Sequence, residues 1–265
     1  MTACRRNRRA SGEMKAKLDP RLARLFELFI GAGHELYLVG GAVRDHQRGA
    51  PIEELPDLDF ATSALPAEST RVLRRAGFPV FMVGSRFGTV GTFLEEAPRR
   101  RQIQITTYRG EVYVNGSRKP RVTFGRDLLE DLARRDFSIN AMAMAADGRL
   151  IDPYGGDRDL AQGVLRTVGE PRIIFREDPL RTLRAARFIA TLGMKPEPEL
   201  TEVVREVAGE ILTVSRERWL LEMNKILVAE AADDGLSFLV ATGLLAHLWP
   251  AGQAMVEFGA DQGRY

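Results

Sequence analysis

Apolar residues recur at helical spacing in Leu22, Leu25, Phe26 and Phe29, just after Asp19-Pro20, the cap-then-proline order that opens a helix. Gly31 and Gly33 close it. Residues 35–39 and 57–61 read as strands, and 66–76 as a helix with Ser69 and Arg74-Arg75 on its polar side. Three short strands follow at 79–83, 89–94 and 102–108, the last alternating Ile103 and Ile105 against polar neighbours. From Asp127 onward the pattern turns helical. Strand signals shrink to 149–152 and 164–168, and helices are predicted over 178–192, 198–208, 215–230 and 234–242. The helix opening at Ser215 carries Trp219, Leu220, Met223, Ile226 and Leu227. This order predicts an α+β chain in three parts: a basic, flexible N-terminus over 1–18, a mixed-sheet head over 19–150, and an all-helical region over 151–265.

With 265 residues and 45% hydrophobic content, the chain can bury one or two ordinary cores. The 38 basic and 36 acidic residues nearly cancel, so a nucleic-acid surface must be a local patch. Dense basic runs occur at Arg5-Arg6-Asn7-Arg8-Arg9, Arg99-Arg100-Arg101 and Arg118-Lys119. The first run lacks a following apolar stretch, so it is not a secretory signal; a disordered tail, an RNA-touching arm and a transit peptide stay open. One cysteine, Cys4, excludes an internal disulfide and fits a reducing, cytoplasmic setting. No apolar run approaches the roughly 20 residues of a membrane helix, so no membrane partner is expected.

The chemistry concentrates in three stretches. In Pro56-Asp57-Leu58-Asp59-Phe60, strand alternation points Asp57 and Asp59 to one side, about 7 Å apart along the backbone. Carboxylates held that close repel unless a cation sits between them, and hard Mg²⁺ is the usual partner. Upstream, Leu38-Val39-Gly40-Gly41-Ala42-Val43-Arg44-Asp45 places a Gly-Gly turn between a strand and a helix, where backbone N–H groups at Gly41 can approach phosphates and Arg44 can add a charged fork. In Arg134-Arg135-Asp136-Phe137-Ser138-Ile139-Asn140-Ala141, Asp136 and Asn140 sit four apart, as if on one helix face, with groups able to hydrogen-bond a ribose. Finally, Asp178, Arg181, Arg184 and Arg187 recur every three residues on a helix opened by Asp178-Pro179. Such a step falls about 60° short of a turn, giving a spiralling polar stripe roughly 14 Å long. Leu180, Leu183, Ala186, Phe188, Ile189 and Leu192 surround that helix, which suggests a lined cleft rather than a solvated face.

The order strand, Gly-Gly, helix, Asp-x-Asp resembles the nucleotidyltransferase fold of the polymerase β superfamily. Val-Gly-Gly-Ala-Val-Arg-Asp at 39–45 is similar, more narrowly, to class II tRNA nucleotidyltransferases and bacterial poly(A) polymerases. The segments at 83–90, 134–141, 152–160, 177–181 and 215–218 continue the resemblance over about residues 35 to 230. It implies a nucleotidyltransferase head followed by a helical neck and partial body. It also implies template-independent addition of C, A or both to the 3′ acceptor end of tRNA from CTP or ATP with Mg²⁺. Asp57 and Asp59 are then the catalytic metal ligands. Gly41, Arg44, Arg135, Arg184 and Arg187 bind the triphosphate and sugar, Asp136 and Asn140 support the ribose, and Asp178 with Arg181 reads the base edge. A poly(A) polymerase, or a catalytically weak RNA- or nucleotide-binding module of the same fold, is the alternative. Val83 to Val90 and the length of the loop over 109–124 lean toward a CCA-adding member able to add A.

Two departures stand out. Gln104 occupies a strand position where members of this family commonly carry Glu, which puts a third carboxylate near the metals in doubt. The helical region also reaches only the beginning of a body, which puts the family's usual grip on the tRNA elbow in doubt.

Overall fold

In the computed structural model, residues 20–83, 88–96, 99–112, 121–125 and 127–255 are described. The basic run at 5–9, Cys4, the turn at 84–87, and Arg118-Lys119 lie outside them. The chain opens with α1 (Pro20–Gly31), whose Leu22, Leu25, Phe26 and Phe29 are all buried as the periodicity predicts. β1 (Leu36–Val39), α2 (Gly41–Gln47), β2 (Asp57–Thr62) and α3 (Pro66–Arg75) follow. β3 (Phe81–Val83), β4 (Thr89–Glu96) and β5 (Arg99–Thr107) come next. Ser69 of α3 faces inward rather than lying on the polar side, because Leu73 one turn on shares its buried stripe.

The main sheet has the order β3-β4-β5-β2-β1, continued by β8 (Ala143–Met144) and β9 (Leu150–Ile151). Its β2–β5 pairing is parallel and its other pairings are antiparallel, so the sheet is mixed. Strand alternation gives it two unlike faces. Leu58, Phe60, Val90, Leu94, Ile103 and Ile105 form one core with the apolar stripe of α1 and with Leu73, and the Phe26 and Phe60 rings meet edge to face at 5.6 Å. On the opposite face, Asp57 and Asp59 are exposed while their neighbours Leu58 and Phe60 are buried. At the far end of that face, α4 (Leu128–Ala133) covers Val39, Ala61 and Ala143 with Leu128 and Leu132.

The expected loop over 109–124 is not wholly a loop. Its ends pair as the antiparallel strands β6 (Arg109–Val112) and β7 (Arg121–Phe124), with Arg109 opposite Phe124. The α5 helix (Gly156–Gln162) then ties head to helical region. The Asp152 carboxylate accepts from the Gly156 and Asp157 amides at 2.7 and 3.0 Å, closing the helix N-terminus.

The helical core is built from α6 (Pro171–Glu177), α7 (Leu180–Leu192), α8 (Pro198–Val207), α9 (Arg216–Leu227), α10 (Ala232–Ala241) and α11 (Leu244–Leu248), with the short parallel pair β10 (Val164–Leu165) and β11 (Lys195–Pro196) at its edge. Phe137 and Ile139, from the segment before β8, belong to this core. α7 is central, and Gly235 lets α10 approach it, since a Cβ there would lie 2.8 Å from Ala190 Cβ. The helix expected from Asp178 starts two residues later. Asp178 is extended (φ −143°, ψ 100°) between α6 and α7, because a residue before proline is excluded from helical geometry. On α9, Met223 and Ile226 are buried but Leu220 and Leu227 are half exposed, so that helix buries a narrower stripe than its sequence predicts. Among the described residues no helix is long and apolar enough to cross a membrane.

Gly156 marks the tightest head-to-neck approach. A Cβ at this position would sit 2.2 Å from the Ser138 carbonyl oxygen, which is backbone and cannot yield cheaply. Gly156→Ala should therefore cost about 1–3 kcal/mol of stability, read as a lowered urea midpoint with unchanged slope, whereas Gly169→Ala, where nothing lies within 4 Å, should cost far less.

Candidate active site between head and neck

The two sheet faces decide where polar chemistry collects. Val39 ends β1, and the chain turns at Gly40 with φ +69°, a left-handed geometry that favours glycine. A Cβ there would also press within 3.0 Å of an Arg135 guanidinium nitrogen. α2 then brings Arg44 over the end of the sheet, α4 and the turn after it bring Arg134, Arg135 and Asp136, and α7 brings its arginines from the other side. Between them lies a cleft of about 620 Å³.

Gly41, Arg44, Asp59, Arg135, Asp136, Asn140, Asp178, Arg181, Arg184 and Arg187 all line this cleft, although 146 residues separate the first from the last. Asp57 stands beside it on the same strand face as Asp59. Burial raises the Asp59 carboxyl above the usual range, Arg135 opposes this, and the Asp57 charge adds to it. Gln104 lies directly across from Asp59 on β5, and Gln102 across from Asp57. Two uncharged amides therefore flank the carboxylate pair, and among the described residues no group of three or more His, Cys, Asp or Glu converges as a metal cage.

Several side chains sit differently from the sequence expectation. The Arg44 fork does not point freely outward: Nε and Nη2 bond both oxygens of Asp45 at 2.8 and 3.0 Å, while Nη1 donates to Asn140 Oδ1 at 2.8 Å. Asp136 and Asn140 do not share an α-helical face. Asp136 precedes a 3-10 turn at Ser138–Asn140, and Asn140 Nδ2 reaches back to its carboxylate at 3.1 Å. Asp136 is buried and pairs with Arg184 at 2.7 Å. Burial alone would push its carboxyl up, but Arg184, the Asn140 amide, the Phe137 N–H and Arg181 outweigh that and hold it low. Asp136 therefore braces the cleft wall. The polar stripe of α7 begins at Arg181, since Asp178 lies outside the helix, yet Asp178 still faces the cleft and bonds Arg218 at 2.7 Å. Arg181 is held at three points, by the carbonyls of Ile174 and Arg134 and by Glu177, at 2.7–3.0 Å.

Two bracing carboxylates escaped the sequence reading. Asp131, its side chain 2% exposed, receives Arg134 at 2.8 Å and Arg135 at 3.0 Å. Its spacing of three and four residues from those arginines on one helix was a legible signal. Burial raises its carboxyl, but Arg135 and Arg134 together hold it below the usual range. Glu222 of α9 pairs with Arg187 at 3.1 Å, and 35 residues of separation left no signal for it. Burial, then repulsion from Arg184, brings the Arg187 guanidinium down to about 10, so it remains charged at neutral pH. Its Cζ lies 4.2 Å from the Phe188 ring centre.

Of the basic run at 99–101, Arg101 is buried and donates to the Ile52 carbonyl at 3.1 Å, so it offers no surface charge; Arg100 is exposed. The Arg99 side chain lies outside the described residues.

Residues 36–166 match the poly A polymerase head domain, and residues 193–255 the probable RNA and SrmB-binding site of polymerase A. The CCA-adding enzyme of Geobacillus sp. (strain WCH70) is 42% identical over 218 residues, 82% of this chain and 51% of that protein. The CCA-adding enzyme of Bacillus subtilis (strain 168) is 40% identical over 225 residues, 84% of this chain and 54% of that protein. The chain thus spans about half the length of these relatives. The crystal structure of the Bacillus stearothermophilus CCA-adding enzyme in complex with CTP superposes with a TM-score of 0.76 at 37% identity, over 89% of this chain and 54% of that one. A CCA-adding enzyme complexed with ATP gives 0.71 at 26% identity, over 88% and 54%. With residues 36–166 and 193–255 matched by two models of one family and 218 residues aligned at 42% identity, this chain belongs to the family of class II tRNA nucleotidyltransferases and bacterial poly(A) polymerases.

Proposed function

We propose that this chain catalyses template-independent addition of C, A or both to the 3′ end of tRNA, using CTP or ATP. The observation that carries this reading is the convergence of Asp59, with Asp57 beside it on the same strand face, and seven arginines on one cleft wide enough for a nucleoside triphosphate. The relatives named as CCA-adding enzymes support it. The reading also suits a cytoplasmic protein.

The carboxylate pair fits Mg²⁺. Asp59 is disfavoured as an anion by burial and by Asp57, a cost that a divalent cation would remove. Two protein carboxylates with the remaining positions left to phosphates and water is the usual way a protein holds this ion. Asp57 and Asp59 would hold Mg²⁺, whose chemistry when bound is activation of the RNA 3′-hydroxyl and neutralisation of charge on the departing pyrophosphate.

The chain's own side chains supply the rest. Arg44, Arg135, Arg184 and Arg187 would hold triphosphate oxygens and sugar, each kept in place by a carboxylate or amide partner until phosphate competes for it. Asn140, anchored by both Arg44 and Asp136, would present its amide to the ribose. Asp178 would accept from the exocyclic amine of cytosine or adenine, and Arg181 would donate to the adjacent ring nitrogen or carbonyl. Guanine and uracil would set a carbonyl against Asp178, leaving both without a donor.

The direct test is purified protein with tRNA lacking its terminus and one labelled nucleoside triphosphate at a time. CMP or AMP addition is expected. Addition from ATP alone, in long tails, would instead mean a poly(A) polymerase, and no addition in the presence of RNA binding would mean a binding module.

Two further outcomes are expected. Asp59→Asn should abolish incorporation while raising the melting temperature without metal, because it removes a negative charge that desolvation at the cleft wall and the neighbouring Asp57 disfavour. Mg²⁺ should raise the melting temperature of the unsubstituted protein more than that of the variant. A fully active Asp59→Asn protein would remove the metal-ligand assignment. Asp178→Asn, which gives the base edge a donor as well as an acceptor, should narrow the preference for CTP and ATP over GTP and UTP by about tenfold. An equal fall for all four nucleotides would rule out base reading at this position. Arg181 is a poorer test, since a carboxylate there would face Glu177 and two backbone carbonyls.

A further inference from the structure

The polar face of the sheet does not end at the aspartates. Register carries it outward from Asp57 to Gln102 on β5 and Phe93 on β4, and from Asp59 to Gln104, Gly91 and then Phe81 on β3. Residues directly opposite in paired strands share a face, so Phe93 and Phe81 look the same way as the aspartates. With strands about 4.8 Å apart, Phe93 stands roughly 10 Å from Asp57.

These aromatic residues are arranged as a stack. The Phe81 ring lies over Gly91, where a Cβ would fall 2.3 Å from a ring carbon, so glycine is what admits the ring. Phe81 and Phe93 are stacked with centroids 4.6 Å apart and planes 27° from parallel. The Arg100 guanidinium carbon lies 3.7 Å from the Phe93 ring centre. Both phenylalanines are half-buried and Arg100 is exposed, so Arg100 is the end of the stack that solvent reaches. A single cation–π pair on a surface is ordinary. Three planar groups in contact on adjacent strands, on the same sheet face as the carboxylate pair, need a further reason.

We propose that Phe81, Phe93 and Arg100 form a stacking platform for the single-stranded 3′ end of the acceptor RNA. The platform would place a base near the terminus on the Arg100 guanidinium plane, so that the strand runs on toward Asp57 and Asp59. This rests on the reading of the cleft as an RNA nucleotidyltransferase site. The occupant follows from chemistry. Base faces stack on aromatic rings and guanidinium planes whatever their sequence, and the cation suits a strand of phosphates. A growing 3′ end also changes identity with each addition, which favours a support that reads no base edge. Gln102 and Gln104 lie between platform and aspartates and bring no charge to repel the strand. Their amides offer donors to phosphate or sugar oxygens.

The test compares two acceptor-stem minihelices, one blunt and one with an unpaired 3′ overhang, by fluorescence anisotropy without nucleotide. The intact protein should prefer the overhang. Arg100→Ala should weaken overhang binding about five- to a hundredfold, leave blunt binding unchanged, and raise the KM for RNA without changing the KM for CTP. Arg100→Lys keeps the charge but not the plane, and it should behave like Arg100→Ala. Phe93→Tyr should retain the overhang preference. Because Arg100 is exposed, its variants should fold, and matching melting curves establish this. Equal weakening of blunt and overhang RNA, full affinity in Arg100→Lys, or a shift confined to the KM for CTP would each overturn the platform. Since binding is read without catalysis, an intact protein that grips the overhang but transfers nothing would support the platform while refuting the transferase reading. One that transfers equally well with Arg100→Ala would refute the platform alone.

Discussion

Seven guanidinium groups face one cleft, those of Arg44, Arg109, Arg134, Arg135, Arg181, Arg184 and Arg187, and their mutual repulsion is the constraint around which head and neck are built. Positive charges packed so closely stand only if carboxylates are threaded among them. Asp45, Asp131, Asp136, Glu177 and Glu222 supply that bracing, drawn from α2, from α4 and the turn after it, from α6 and from α9. The balance is incomplete by design of the geometry: burial and neighbouring arginines still pull Arg187 down to about 10 and push Arg109 below its usual value. An anion entering the cleft would relieve this residual repulsion, which is the electrostatic basis of the nucleotide-binding role proposed for it.

The same bracing joins the two halves of the molecule. Asp136 lies before the 3-10 turn of the head but meets Arg184 of the central neck helix, while the Arg134 carbonyl accepts from Arg181. Phe137, next to Asp136, inserts into the helical core against Phe188 with rings 5.5 Å apart. Apolar packing thus fixes the distance between head and neck, and the ion pairs fix the orientation of what faces the cleft. Gly156, pressed against the Ser138 carbonyl, closes the joint from behind.

The sheet divides the remaining tasks by alternation. One face is apolar and carries α1 and α3; the other holds the aspartates, the two glutamines and the Phe81–Phe93–Arg100 stack. A single shift of register in β2 would turn both aspartates into the core and Leu58 and Phe60 into the cleft. The placement of the carboxylate pair and the packing of the core are therefore specified by the same hydrogen-bond ladder.

Much of this was legible in the residues themselves. Period-two and period-3.6 patterns located α1, β1, β2, α3 and the helices α7 to α10 to within a few residues, because each buries a face whose spacing is written locally, whereas the short helices α5, α6 and α11 went unread. The orientation of Asp57 and Asp59 followed from strand alternation, and the family from motifs at fixed spacing. Tertiary structure decided the rest. Asp178 leaves the helix because Pro179 excludes it, a local rule that the charged repeat obscured. Arg44 is clasped by Asp45 and Asn140, Asp136 is buried against Arg184, and Arg187 meets Glu222, since the partners of a long side chain depend on which distant element folds over it. The aromatic stack arises from strand register across β3, β4 and β5. Sequence determines which face a residue takes on its own element; only the packing of elements, set by apolar contact and completed by charge pairing, determines what that face meets.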